Sequence, residues 1–223
     1  MEGRSIGRLL TVLLLSLLAG SVAARSQDRP GQESVPHRKI DFYVLSLSWV
    51  PSYCARRGDK ADRSLCDAVP SYGFVVRGLW PQYNQGYPLN CPGADGDKIS
   101  PANLHAIAHI MPRTGLAARE WQTHGRCSGL DQDDYFATVR AAYKTVTLPS
   151  AFPHLGRSVR PLDVTNAFLK ANPGLPRNGI SISCDSRFLR EVHICLTTDL
   201  KFRACPAVQQ SMCRLPRVAM PPQ

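Results

Sequence analysis

Phe74-Val75-Val76-Arg77-Gly78-Leu79-Trp80-Pro81-Gln82 and, about 40 residues further on, Arg119-Glu120-Trp121-Gln122-Thr123-His124-Gly125-Arg126-Cys127 carry most of what this chain says about itself. In the first, the aromatic and β-branched run Tyr72 to Arg77 predicts a strand that Gly78 ends. In the second, Leu116 to His124 holds good helix formers, and Gly125 suits a helix C-cap. On that helix Glu120 and His124 are four residues apart and share a face, with Arg119 and Thr123 as the adjacent stripe. A carboxylate beside an imidazole orients it or holds its charge, which is what acid/base work near neutral pH needs. Taken alone, such a pair is an ordinary helix-surface contact, and Trp80 and Trp121 read simply as core.

Outward from these segments, Asp41 to Trp49 (DFYVLSLSW) alternates, with Tyr43, Leu45, Leu47 and Trp49 on one face of a strand. Leu104 to Ile110 reads as a helix. Asp131 caps a longer one running to about Lys144, striped by Tyr135, Phe136, Val139 and Tyr143. Pro161 to Ala171 is a further helix, stopped by Asn172-Pro173-Gly174. Ile180 to Ser183, Arg187 to Leu196 and Leu200 to Ala204 read as strands, the last two forming a hairpin about Thr198-Asp199. Strands at both ends with helices between them predict a single α+β domain around a central, mainly antiparallel sheet.

The 223 residues carry 27 Lys+Arg against 17 Asp+Glu, a net charge of +10. That length suits one domain, and the aromatic content excludes a disordered chain. Residues 1–24 read as a secretory signal peptide: Arg4 and Arg8 precede the short apolar run Leu9 to Leu18, and Val22-Ala23-Ala24 places cleavage near Ala24. The run is too short to span a bilayer. The leader holds Glu2, Arg4 and Arg8, so +9 remains after its removal. Residues 25–38 are polar and broken by Pro and Gly, a flexible lead-in. The domain then covers 39–216, with 217–223 as a tail. All eight cysteines follow the leader, which predicts four disulfides in a periplasmic or secreted protein; their number alone leaves the pairing open. No pair has the Cys-x2-4-Cys spacing of a zinc site.

Together the two segments resemble the ribonuclease T2 family, whose signatures are a His-Gly-Leu-Trp-Pro segment and a His-Glu-Trp-x-x-His-Gly-x-Cys segment. Here they stand as RGLWP at 77–81 and REWQTHGRC at 119–127. The strand at 41–49, Cys91, Ser128-Gly129-Leu130 with the following Tyr135-Phe136, and the late cysteines are similar to bacterial exported members of the kind of bacterial ribonuclease I. The resemblance implies the pairings Cys54–Cys66, Cys91–Cys127, Cys184–Cys213 and Cys195–Cys205. It also implies an endoribonuclease that cuts single-stranded RNA by transphosphorylation through a 2′,3′-cyclic phosphate, with no cofactor and no metal. The expected partner is RNA, with no membrane contact once the leader is gone, and the protein acts as a monomer.

By the same resemblance His124 is one of two catalytic histidines, and Glu120 holds its charge or orientation. Trp80, with Tyr83 or Tyr87, stacks a base, and Arg119 and Thr123 stand where the family contacts the substrate. The departures are specific. Arg77 occupies the place of the first-segment histidine, Arg119 that of the second segment's leading histidine, and Thr123 that of a lysine. Arg119 replaces a cation with a cation, whereas a guanidinium at 77 does not release a proton near neutrality. Arg77→His is therefore expected to raise cleavage. His105 and His109 lack the Glu of a metal-binding HExxH helix and read as structural, as do His154 and His193. Two other functions stay open on the sequence: a catalytically inactive RNA- or nucleotide-binding pseudoenzyme with Arg77 and Arg119 flanking a Trp-lined groove, and a basic envelope protein that attracts polyanions without specificity.

Overall fold

The structure, a computed structural model, describes residues 39–93, 95–150 and 158–223. The leader, the lead-in to residue 38 and His154 lie outside the described residues. Four strands form one antiparallel sheet in the order β2-β1-β5-β4: β1 is Phe42–Trp49, β2 Phe74–Gln82, β4 Ile180–Cys184 and β5 Leu189–Leu196. A second, two-stranded sheet pairs β3 (Ser158–Val159) with β6 (Val218–Ala219). Among the described residues the α-helices are α1 (Val50–Arg57), α2 (Arg63–Cys66), α3 (Pro101–Ile107), α4 (Thr114–Thr123), α5 (Gln132–Thr145), α6 (Pro161–Ala171) and α7 (Pro206–Gln209). The architecture is the expected α+β one.

Strand alternation gives the main sheet two different faces. One face carries Tyr43, Leu45, Leu47, Val76, Leu79, Ile182, Val192 and Ile194 into the main core. There it meets Trp121 of α4, Tyr135, Phe136 and Val139 of α5, and Phe168 of α6. The other face carries Phe42, Val44 and Cys195 in a small cluster with Cys205 and Trp80, then turns polar at Ser46, Ser181, Glu191 and His193. β1 is therefore buried on both sides, and alternation alone disclosed only its apolar side. Tyr135 is fully enclosed, and its hydroxyl donates 3.0 Å to the Leu79 carbonyl, which fixes α5 against the strand that carries the site.

Several local expectations change. β2 does not stop at Gly78 but runs on to Gln82. Between Ser46↔Gly78 and Leu47↔Val76 the register slips, leaving Arg77 as an extra residue in a β-bulge. The bulge is what lets Val76 and Leu79, three residues apart, both face the core. Gly125 is not a left-handed cap: α4 ends at Thr123, and Gly125–Ser128 continues as a 3-10 turn. A Cβ at Gly125 would lie 2.4 Å from the Trp121 ring and 2.9 Å from Tyr135, so close packing requires this glycine. Leu200 to Ala204 is not a strand; an isolated bridge from Leu196 to Phe202 is all that pairs there. α3 begins three residues earlier than expected, at Pro101, because Ser100 caps it by accepting from the Asn103 amide at 3.2 Å. Asp131 caps α5 by accepting from the Asp134 amide at 2.8 Å.

Disulfides join Cys54–Cys66, Cys91–Cys127, Cys184–Cys213 and Cys195–Cys205. Cys91–Cys127 anchors the segment after the His124 turn, while Cys195–Cys205 closes the end of β5. Residues 217–223 lie against the domain: Val218 and Met220 are buried, and the Trp49 indole donates 2.9 Å to the Pro221 carbonyl.

Candidate active site

The bulge in β2, the end of α4 and the polar face of β5 converge on two buried carboxylates. Glu120, 2% exposed, is held from three sides. Arg77 Nη1 approaches its Oε1 at 2.7 Å, the Trp80 indole donates to its Oε2 at 2.8 Å, and His124 Nε2 stands 3.9 Å from the same oxygen. Glu191, on β5, accepts from Ser46 Oγ at 3.2 Å and lies 3.0 Å from His193 Nε2. Arg77 reaches this second carboxylate too, with Nε 3.8 Å from Oε1. One guanidinium thus spans two carboxylates, and each carboxylate faces a histidine.

Gly78 makes room for this arrangement. A Cβ there would stand 2.4 Å from both Glu120 Oε2 and Trp80 Nε1. Gly78→Ala is expected to cost about 1–3 kcal/mol through overpacking. Urea unfolding checks it, and a variant as stable as the parent would show that the carboxylate and indole have other room.

The electrostatics separate the ionisable groups. Burial pushes the Glu120 carboxyl above its ordinary range, against the pull of the Arg77 charge and the Trp80 hydrogen bond. Burial also works on Glu191, but the hydrogen bond and charge of His193, with the charges of Arg77 and Arg190, outweigh it and hold Glu191 below the usual value. Burial, then the Arg77 charge, lowers His124 to about 4, so its imidazole is neutral near neutral pH. His124 Nδ1 is buried with no hydrogen-bond partner. A neutral imidazole beside a carboxylate can accept a proton at Nε2.

Trp80, Tyr83, Tyr87, Thr123, His124 and His193 line one open cleft of about 800 Å³. Arg77 and Arg119 do not flank it. They line a second cavity of about 440 Å³, together with Arg56, Arg113, Arg190 and Glu191. Glu120 lies at the junction, bonded to a residue of each cavity. Arg119 is exposed and makes no ion pair with a described residue. Tyr87 is 60% exposed, whereas Trp121 is core. His105 and His109 are exposed on α3 and just beyond it, away from the cleft lining.

Sequence reading missed Glu191, His193 and Ser46. The usable signal was the strand Leu189–Leu196 itself: residues two apart share a strand face, so Glu191 and His193 had to point the same way.

Residues 40–205 match the model of the ribonuclease T2 family. The chain belongs to that family. A ribonuclease of Aeromonas hydrophila is 33% identical over 198 residues, covering 85% of each chain. Ribonuclease DdI of Dictyostelium discoideum is 30% identical over 230 residues, covering 94% of this chain and 95% of its own. Among solved structures, an RNase-related protein from Calystegia sepium superimposes with a TM-score of 0.63 at 21% identity, over 83% of this chain and 98% of that one. RNase NT in complex with 5′-AMP does so with a TM-score of 0.58 at 20% identity, over 83% of this chain and 100% of that one. These likenesses show a ribonuclease T2 fold, and family membership supports an endoribonuclease function. No helix among the described residues is long and apolar enough to cross a membrane.

Proposed function

We propose that this T2-family protein is an exported endoribonuclease that cleaves single-stranded RNA, transferring the chain from the 5′-oxygen to the 2′-hydroxyl and leaving a 2′,3′-cyclic phosphate. The observation that carries this is the buried Glu120 carboxylate, shared by Arg77, Trp80 and His124, the last two of which line an aromatic cleft. His124, neutral near neutrality, takes the 2′-hydroxyl proton, and Glu120 stabilises the imidazolium that forms. Thr123 contributes a hydroxyl on the cleft wall, and Arg119, exposed in the neighbouring cavity and without an ion-pair partner among the described residues, adds positive charge that attracts the RNA backbone. Arg77 neutralises the carboxylates around that charge. Bases stack on Trp80, Tyr83 and Tyr87. The N-terminal leader and the four disulfides favour the periplasm or the exterior.

Digestion of homopolymer RNA with end-group analysis tests the reading. Cyclic ends are expected, and their absence at high enzyme load overturns cleavage. Tyr87→Ala is expected to weaken RNA binding by the stacking of one base, about 1–3 kcal/mol, read as a rise in KM with kcat little changed. One observation favours the alternative of an inactive RNA- or nucleotide-binding protein: Arg77, a guanidinium engaged with two carboxylates, stands where the resemblance calls for a histidine. Salt-dependent RNA binding without cyclic ends supports that alternative.

A further inference from the structure

We propose that His193 is the second proton-transfer histidine of this protein, donating the proton that the leaving 5′-oxygen requires. This rests on the ribonuclease reading above and names the residue that does what Arg77 cannot.

The polar face of the sheet builds around His193 the same arrangement that α4 builds around His124. Both imidazoles line the cleft of about 800 Å³. Trp80 packs against both, its ring centroid 5.3 Å from His124 and 5.2 Å from His193. Each faces a buried carboxylate, Glu120 at 3.9 Å and Glu191 at 3.0 Å. Arg77 ties those carboxylates together. Its guanidinium is thus engaged in holding two Glu-His pairs in fixed relation, and proton exchange is left to the imidazoles.

The groups around His193 suit a donor. From its own strand Glu191 pairs with Nε2. From β1 comes Ser46, which also bonds Glu191, and from β4 comes Ser181, the register partner of His193. β2 contributes Trp80 edge-on and Arg77 beyond the carboxylate. With Nε2 engaged, Nδ1 is the ring nitrogen without a partner among the described residues. The two histidines also differ in their partners. His124 is lowered to about 4 and takes a proton, whereas His193 sits at hydrogen-bond distance from a carboxylate held below its usual range. In the step, the 2′-oxygen–phosphorus bond forms as the phosphorus–5′-oxygen bond breaks. The 2′ proton passes to His124 Nε2, and a proton from the His193 imidazolium passes to the departing 5′-oxygen. Charge and atoms balance, and the histidine pair ends with its protonation reversed.

A purely structural His193, packed against Trp80, gives a different result from a donor, and the leaving group separates the two. The full-length protein and His193→Gln are assayed on the dinucleotide uridylyl-adenosine, whose alkoxide must be protonated to leave, and on uridine 3′-(4-nitrophenyl phosphate), whose phenolate leaves without help. The expected result is a fall of about 10²–10³-fold on the dinucleotide, within the usual range for removing a positioned acid, with the aryl ester turned over at close to the parent rate. The surviving aryl-ester activity itself reports a folded site. The basic limb of the parent's pH profile should be absent from the variant. Equal losses on both substrates, or no loss on either, overturn the proposal while leaving the ribonuclease reading in place. A parent protein inactive on both substrates overturns the ribonuclease reading instead.

Discussion

Replacing Arg77 by methionine is expected to destabilise the protein by about 2–4 kcal/mol at neutral pH, because it removes the cation that two buried carboxylates share. Removing one partner of a buried ion pair usually costs slightly more, but the Arg77 side chain keeps 31% of its exposure, so water shares part of the interaction. The loss should depend on pH with a definite sign. Burial already raises Glu120 despite Arg77, and without that cation it rises further. Above the ordinary carboxylate value the folded variant then binds a proton that the unfolded chain releases, so stability declines as pH increases. Urea unfolding at pH 5 and pH 8 should show the deficit between variant and parent growing toward pH 8. A deficit that shrinks toward pH 8, or none at all, would mean that Arg77 does not stabilise these carboxylates. Arg77→His removes the same clamp, since an imidazole is too short to bridge Glu120 and Glu191. The gain in cleavage expected from the sequence alone is therefore set against the loss of the scaffold that orients both histidines.

This double engagement of Arg77 also marks where the sequence stops being legible. The RGLWP and REWQTHGRC segments name Arg77, Trp80, Glu120 and His124 because each motif is local, and helix spacing alone puts Glu120 and His124 on one face. The helices beginning at Pro161 and capped by Asp131 are equally local and fall where their caps put them. What the sequence conceals is everything set by pairing between distant strands. Glu191 meets Ser46 across 145 residues of sequence, and His193 reaches Trp80 only because β5 lies beside β1 and β1 beside β2. The bulge was hidden for a related reason. Gly78 looks like a strand breaker, yet its missing side chain is what the Glu120 carboxylate and Trp80 indole require, so the strand continues through it. Arg77 and Arg119, which the motifs suggest as one phosphate clamp beside Trp80, open instead into a separate cavity.

His124→Ala is expected to lower RNA cleavage by about 10²–10⁴-fold, the usual contribution of a positioned proton-transfer group, while the variant remains folded. An exposed histidine acting as base would lose activity below about pH 6.5, its ordinary value. His124 is lowered to about 4 by burial and by the Arg77 charge, so it remains unprotonated well into the acid range. The acidic limb of kcat/KM should accordingly sit near about 4, and moving it upward requires weakening one of those two causes. Arg77→Met removes the second cause, so its acidic limb should shift toward higher pH wherever activity is measurable. The same lowering acts on stability: between about 4 and the ordinary histidine value the unfolded chain binds a proton that the folded protein does not. Stability therefore rises with pH through that window and is flat above it as far as His124 is concerned. His124→Ala should abolish that part of the slope. An acidic limb near pH 6.5 in the parent, or an unchanged slope in the variant, would show that His124 is not the buried base of this cleft.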